Sequence, residues 1–134
     1  MKQITEDYCN KEISVLLREK GFDVPVKNYF SLNKDAILHN LDKQFGAKKN
    51  WNHFEYCISR PSQSLALKWL REVYNLHIEI YRTACGYLYI ISNIPYGTDL
   101  YNPEYGGDDE NSGQWTTYEK CVEAALKYTL ENLI

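Results

Sequence analysis

The chain reads as an α+β protein: a small antiparallel sheet of about three strands, with three to four helices packed mainly on one face, in a single domain over residues 1–134. Three observations carry that expectation. Residues 116–134 and residues 63–74 both repeat apolar side chains at helical spacing. Between them, residues 77–93 hold two runs rich in Ile and Tyr, separated by Ala84-Cys85-Gly86, as a hairpin requires.

Taken in order, the first helix is predicted from Thr5 to Lys20, with Cys9, Ile13, Leu16 and Leu17 at i, i+4, i+7 and i+8. Gly21 stops it, and Phe22 stands where a Schellman cap folds a hydrophobic residue back on Leu17. Asp23 to Leu32 reads as extended or irregular because Pro25 lacks an amide donor. A weaker helix is predicted from Lys34 to Gln44, carrying Ile37, Leu38 and Leu41 and ending at Gly46. Ala47 to Asn52 is a polar loop, and Phe54 to Ile58 alternates as a strand.

Ser62 is the expected N-cap of a helix from Gln63 to Tyr74, whose apolar face is Leu65, Ala66, Trp69, Leu70 and Val73. Asn75 suits a left-handed terminator, with Leu76 folding back. The strands His77 to Thr83 and Tyr87 to Asn93 follow. A three-residue loop would set Ile80 opposite Ile90 on one face, and Tyr81 opposite Tyr89 and Thr83 opposite Tyr87 on the other, whereas a two-residue loop would shift the register. Residues 95–114 form a long connection rich in Tyr, Gly and acids, the kind of segment that is functional or flexible. Thr116 then caps the last helix with Glu119 reaching back, a capping box. Val122, Ala125, Leu126, Thr129, Leu130 and Leu133 line its apolar stripe.

Composition narrows the function. The net charge of −3 provides no general attraction for nucleic acid or anionic membrane. The charge is uneven: residues 1–60 hold 10 Lys and Arg against 8 Asp and Glu, and residues 61–134 hold 5 against 10, so the two parts stand near +2 and −5. No signal-peptide or membrane-spanning run is present, so a cytoplasmic location and no membrane partner are expected. Cys9, Cys57, Cys85 and Cys121 are irregularly spaced, without a CxxC, and read as reduced thiols rather than a disulfide framework or zinc site.

Catalytic signatures are missing: there is no GxSxG, P-loop, GxGxxG or HExxH. Cys57 with His53 or His77 is the nucleophile pair that a small thiol or hydrolytic enzyme would use. The acids from Asp99 to Glu110 do not follow an EF-hand pattern and read as a solvated, mobile turn. No catalytic residue, metal ligand or cofactor is therefore assigned. Tyrosine is the outlier, 12 of 134 residues. Tyr81, Tyr87, Tyr89, Tyr96, Tyr101 and Tyr105 concentrate in the hairpin and the long connection, which favours a recognition surface.

The opening MKQITEDYCNKEISVLLREKGFD, the central SLALKWLREVYNLHIEI and the closing TYEKCVEAALKYTLENLI resemble a family of small uncharacterised proteins of gut bacteria, their phages and other mobile elements. The resemblance implies a cytosolic single domain of unknown function and transfers no site residue. It covers neither residues 27–53 nor the tyrosine-rich connection. Together these readings point to a non-enzymatic, macromolecule-binding accessory or inhibitor protein with an unknown protein partner. Nucleic-acid binding through Lys43, Lys48, Lys49 and Arg60 is the alternative, a small thiol or hydrolytic enzyme a further one. A tyrosine-lined strand edge would also suit a homo-oligomer.

Overall fold

The computed structural model describes residues 2–32, 38–41 and 47–134. They fall into two compact units, Met1–Ser62 and Gln63–Ile134. Each combines helix with antiparallel strands, so the chain is α+β. The described residues hold two three-stranded sheets where one was expected, and three α-helices with one 3-10 turn.

In the first unit, α1 (Lys11–Glu19) starts later than predicted, at Asn10, whose side chain accepts from the Ile13 amide at 2.8 Å. Before it the chain is extended: the Cys9 amide donates to the Pro61 carbonyl at 2.9 Å, and Tyr8 bridges Ser62. That pairing holds residues 8 and 9 out of the helix. At the other end Gly21 takes φ +90°. Its amide donates to Arg18 O at 3.1 Å and the Phe22 amide to Leu17 O at 2.9 Å, the two bonds of a Schellman motif. Ile13, Ser14, Leu17 and Phe22 are buried.

β1 (Tyr29–Leu32) lies between β2 (Leu38–Leu41) and β3 (Cys57–Ser59), with both pairings antiparallel. Of the helix predicted from Lys34 to Gln44, residues 38–41 are therefore strand; residues 34–37 and 42–44 lie outside the described residues. His39 and Asn40 are weak helix formers, and pairing with β1 decides the conformation. Both neighbouring pairs of β1 and β3 are buried, Phe30 opposite Ile58 on one face and Tyr29 opposite Ser59 on the other. Tyr29 stacks on Trp51 with ring centroids 4.0 Å apart, and the Trp51 indole donates to Val26 O at 2.8 Å. Trp51 belongs to a 3-10 turn (Trp51–His53) that begins inside the predicted loop, and β3 begins three residues later than the predicted Phe54.

The second unit follows the predictions closely. α2 (Gln63–Tyr74) has the expected bounds and buries Ala66, Trp69 and Leu70, but Val73 is exposed. Asn75 takes φ +56° and turns the chain into β4 (Leu76–Arg82), which pairs with β5 (Tyr87–Asn93). β6 (Asp99–Tyr101) adds to the far side of β5, giving the order β4-β5-β6. α3 (Tyr118–Asn132) buries Cys121, Val122, Ala125, Leu126, Thr129 and Leu130. Its cap is Thr117, one residue beyond the prediction, accepting from the Lys120 amide at 3.2 Å. α2 and α3 pack against β4 and β5, and Leu76, Ile78, Tyr89 and Ile91 are the buried strand residues beneath them.

Candidate functional site

The hairpin register decides which tyrosines reach a surface. Thr83 stays in the loop: its amide donates to Gly86 O at 2.8 Å, and its hydroxyl accepts from the Cys85 and Gly86 amides while donating to Gln114 Oε1. The connection is thus four residues, not three, and the register moves by one. Ile80 pairs with Tyr89, Tyr81 with Leu88 and Arg82 with Tyr87. Because side chains alternate, a one-residue change turns a strand over. The expected Ile80/Ile90 and Tyr81/Tyr89 faces do not form. Tyr87 and Tyr89 share the helix-covered face with Ile78 and Ile91, and Tyr81 lies on the opposite face.

Tyr89 is 3 % exposed, and its ring sits 5.2 Å from that of Trp115 and 6.0 Å from that of Tyr101. Burial, then the neighbouring Tyr101, Cys121 and Tyr128, raise its hydroxyl above the usual tyrosine range. Tyr101 is half-buried and stacks on Tyr128 at 3.6 Å with planes 9° apart. Tyr87 is half-buried too, edge-on to Tyr118 at 6.0 Å and under the Arg82 guanidinium at 5.1 Å. These three rings build the unit. Tyr96 and Tyr105 are different, 85 % and 76 % exposed. Leu100, Ile94 and Tyr118 are exposed as well, and none of the three was singled out from the sequence.

The segments that carry Tyr96 and Tyr105 are closely tied. Around Tyr96, the Asn93 amide donates to Thr98 O at 3.0 Å, the Gly97 amide to Asn93 O at 2.9 Å and the Thr98 amide to the Asn93 side chain at 2.7 Å; the Ile94–Pro95 bond is cis. After Tyr105, the Gly107 amide donates to Gly113 O at 2.8 Å and the Asp109 amide to Gln114 O at 2.9 Å. A Cβ on Gly107 would lie 2.1 Å from the Gln114 carbonyl, so only glycine fits that approach. The acids act as internal acceptors. Asp109 receives the Asn111 amide at 3.0 Å and the Ser112 hydroxyl at 2.9 Å. Asp108 receives the Thr116 amide at 2.9 Å, the Thr116 hydroxyl at 2.6 Å and Lys120 Nζ at 3.2 Å. The reading of this stretch as a solvated mobile turn gives way to a cross-linked loop, and its long connection contains a strand, β6.

Family models, curated proteins and solved structures were compared with the chain, and none matches.

The residues of the two alternative readings stand as follows. Burial pushes the Cys57 thiol up, against a smaller downward pull from Arg18, the opposite of an activated nucleophile. His53 is exposed and packs edge-on to Phe54. Cys121 is buried, and burial pushes its thiol up to about 12. Among the described residues no group of three His, Cys, Asp or Glu side chains is placed to hold a metal ion. Nor is any helix long and apolar enough to cross a membrane. Arg60 is an internal strut: its Nε donates to Cys9 O at 3.0 Å and its guanidinium lies over Tyr8 and Phe30 at 5.7 and 5.1 Å. Lys43 lies outside the described residues. Lys48 and Lys49 are exposed, and Val26, paired with Lys49, brings Lys27 beside them.

Proposed function

We propose that this chain is a non-enzymatic binding protein, an accessory or inhibitor of the kind carried by phages and mobile elements, that engages a protein partner through Tyr96 and Tyr105. One observation carries the reading: Tyr96 and Tyr105 are the two most exposed of the six candidate tyrosines, Tyr96 inside the hydrogen-bonded turn from Asn93 to Thr98 and Tyr105 two residues before the Gly107–Gly113 hydrogen bond. An exposed tyrosine on an ordered turn offers a large apolar ring and a hydroxyl at small conformational cost, the profile of a binding anchor. Leu100 and Ile94, both exposed, extend the apolar area near Tyr96 in sequence.

Residues 95–114 contain Asp99, Glu104, Asp108, Asp109 and Glu110 and no Lys or Arg. The surface that receives Tyr96 and Tyr105 is accordingly basic, with apolar recesses for the rings. Asp108 and Asp109 are engaged inside the loop, so Asp99, Glu104 and Glu110, all exposed, are the acids assigned to steering. Affinity capture on the immobilised chain tests this. The expected result is a protein, retained after nuclease treatment, whose recovery falls when Tyr96→Ala and Tyr105→Ala are combined. Undiminished recovery by that variant would remove these residues from the site.

A further inference from the structure

The first unit carries a second surface of opposite character. The Val26 and Lys49 backbones exchange hydrogen bonds of 2.9 and 3.0 Å, which fixes Lys27, Lys48 and Lys49 within a residue of one bridge. All three lysines are exposed. Lys49 Nζ stands 5.8 Å from the centroid of Trp51, and the chain of rings continues outward from there. Trp51 lies 6.0 Å from Phe54, and Phe54 lies 5.9 Å from His53. The inner end of this row, Tyr29 and Trp51, is buried; the outer end is not, with Phe54 46 % exposed and His53 exposed. Tyr56, two residues on, is 58 % exposed.

Lysines flanking a row of rings that runs from core to solvent match the chemistry of a single strand of nucleic acid. Phosphates pair with ammonium groups, and unpaired bases stack on exposed aromatic faces. A duplex keeps its base faces covered and leaves the rings unused. An acidic peptide would use the lysines but has no planar group for Phe54. We propose that Lys27, Lys48, Lys49, His53, Phe54 and Tyr56 form a site for single-stranded nucleic acid. Glu55, exposed and between Phe54 and Tyr56 in sequence, opposes phosphate and keeps the affinity modest. The site belongs to the first unit and Tyr96 and Tyr105 to the second, and the net charge of −3 does not exclude it because residues 1–62 hold 10 Lys and Arg against 8 Asp and Glu.

The test is fluorescence anisotropy of a labelled oligothymidylate with the full chain across a salt series. Three lysine contacts give a slope of log K against log salt of about −2, or roughly 20-fold weaker binding between 50 and 200 mM salt. Replacing both Lys48 and Lys49 by Gln brings the slope to about −0.7. Phe54→Ala weakens binding about tenfold without changing the slope, as loss of one stacked base does, and Phe54→Tyr restores it. Glu55→Gln strengthens binding, and Tyr96→Ala with Tyr105→Ala leaves it unchanged. No saturable binding at low salt overturns the proposal. So does an affinity that the lysine pair and Phe54 do not alter, a duplex bound as tightly, or a polyglutamate that competes as well as the oligonucleotide. Melting curves of each variant separate loss of the site from loss of the fold.

Discussion

The two carboxylate oxygens of Asp108 receive an amide, a hydroxyl and an ammonium group, so one side chain closes the loop that leads into α3. The Thr116 hydroxyl first, then the Thr116 amide and Lys120, hold its carboxyl well below the usual carboxylate range. The folded state prefers the ionised form. Its contribution is complete above about pH 4, the unfolded value, and is lost as pH falls through the lower folded value. Amide-exchange protection at Thr116 should drop on acidification while that of Leu126 persists, and Asp108→Asn should reproduce the drop at neutral pH. Unchanged protection in the variant would contradict the closure. Gly107 has an equally specific role: Gly107→Ala forces its Cβ into the Gln114 backbone, with an expected cost of about 1–3 kcal/mol or more in a denaturant melt. Tyr89→Ala should cost about 3–5 kcal/mol, as truncations of buried aromatics do, and Tyr96→Ala less than about 0.5. A binding defect in the first would therefore report unfolding. Ser14 and Ser59 bury hydroxyls with no hydrogen-bond partner among the described residues. Ser14→Ala should raise stability by about 1 kcal/mol, from helix propensity and a removed desolvation penalty.

Among the elements, α2 and α3 carry the clearest periodicity, and their buried residues follow it. Leu126 is fully buried, and Leu126→Ala should cost about 2–5 kcal/mol. Val73, on the same predicted stripe as Leu70, is 55 % exposed, and Val73→Ala should fall within about 0.5 kcal/mol. Thr117→Ala should remove about 1 kcal/mol, since Thr117 rather than Thr116 accepts from Lys120. Both threonines fit a cap in the sequence; only the capture of Thr116 by Asp108, eight residues back, separates them. Local signals were legible for the same reason the helices were. Gly21 with Phe22, and Asn75, act within one turn of the residues they cap. The first sheet was legible only in part: the strand expected over Phe54 to Ile58 overlaps β3, but Tyr29, Phe30, Ile58 and Ser59 are buried on both faces, so no alternation marks the β1–β3 pairing. The hairpin strands were found but turned over, since the Thr83 hydroxyl that lengthens the turn leaves no pattern in the apolar residues. That same slip placed Tyr89 on a surface from which it is absent. Tyr96 and Tyr105 lie outside the register, and both are exposed.

At the scale of the whole molecule, the charge divides with the units: Met1–Ser62 holds 10 basic and 8 acidic residues, and Gln63–Ile134 holds 5 and 10. The exposed rings divide likewise, with Phe54 and Tyr56 among lysines and Tyr96 and Tyr105 among acids. A β5 edge lined by tyrosines would invite self-association, but β6 and the Tyr87–Trp115 bridge already pair with it. β6 is short, carries Asp99 and ends at Asn102-Pro103, features that discourage a further strand. A hetero-partner therefore suits the acidic surface better than a second copy. The most direct measurement captures proteins from nuclease-treated extract of the natural host on wild-type chain and on the Tyr96→Ala, Tyr105→Ala double variant, in parallel. The expected result is one protein released by salt from the wild type and depleted about tenfold or more on the variant, whose melting curve matches wild type. Equal recovery on both chains, or loss explained by a lowered melting temperature, would contradict recognition through these two tyrosines.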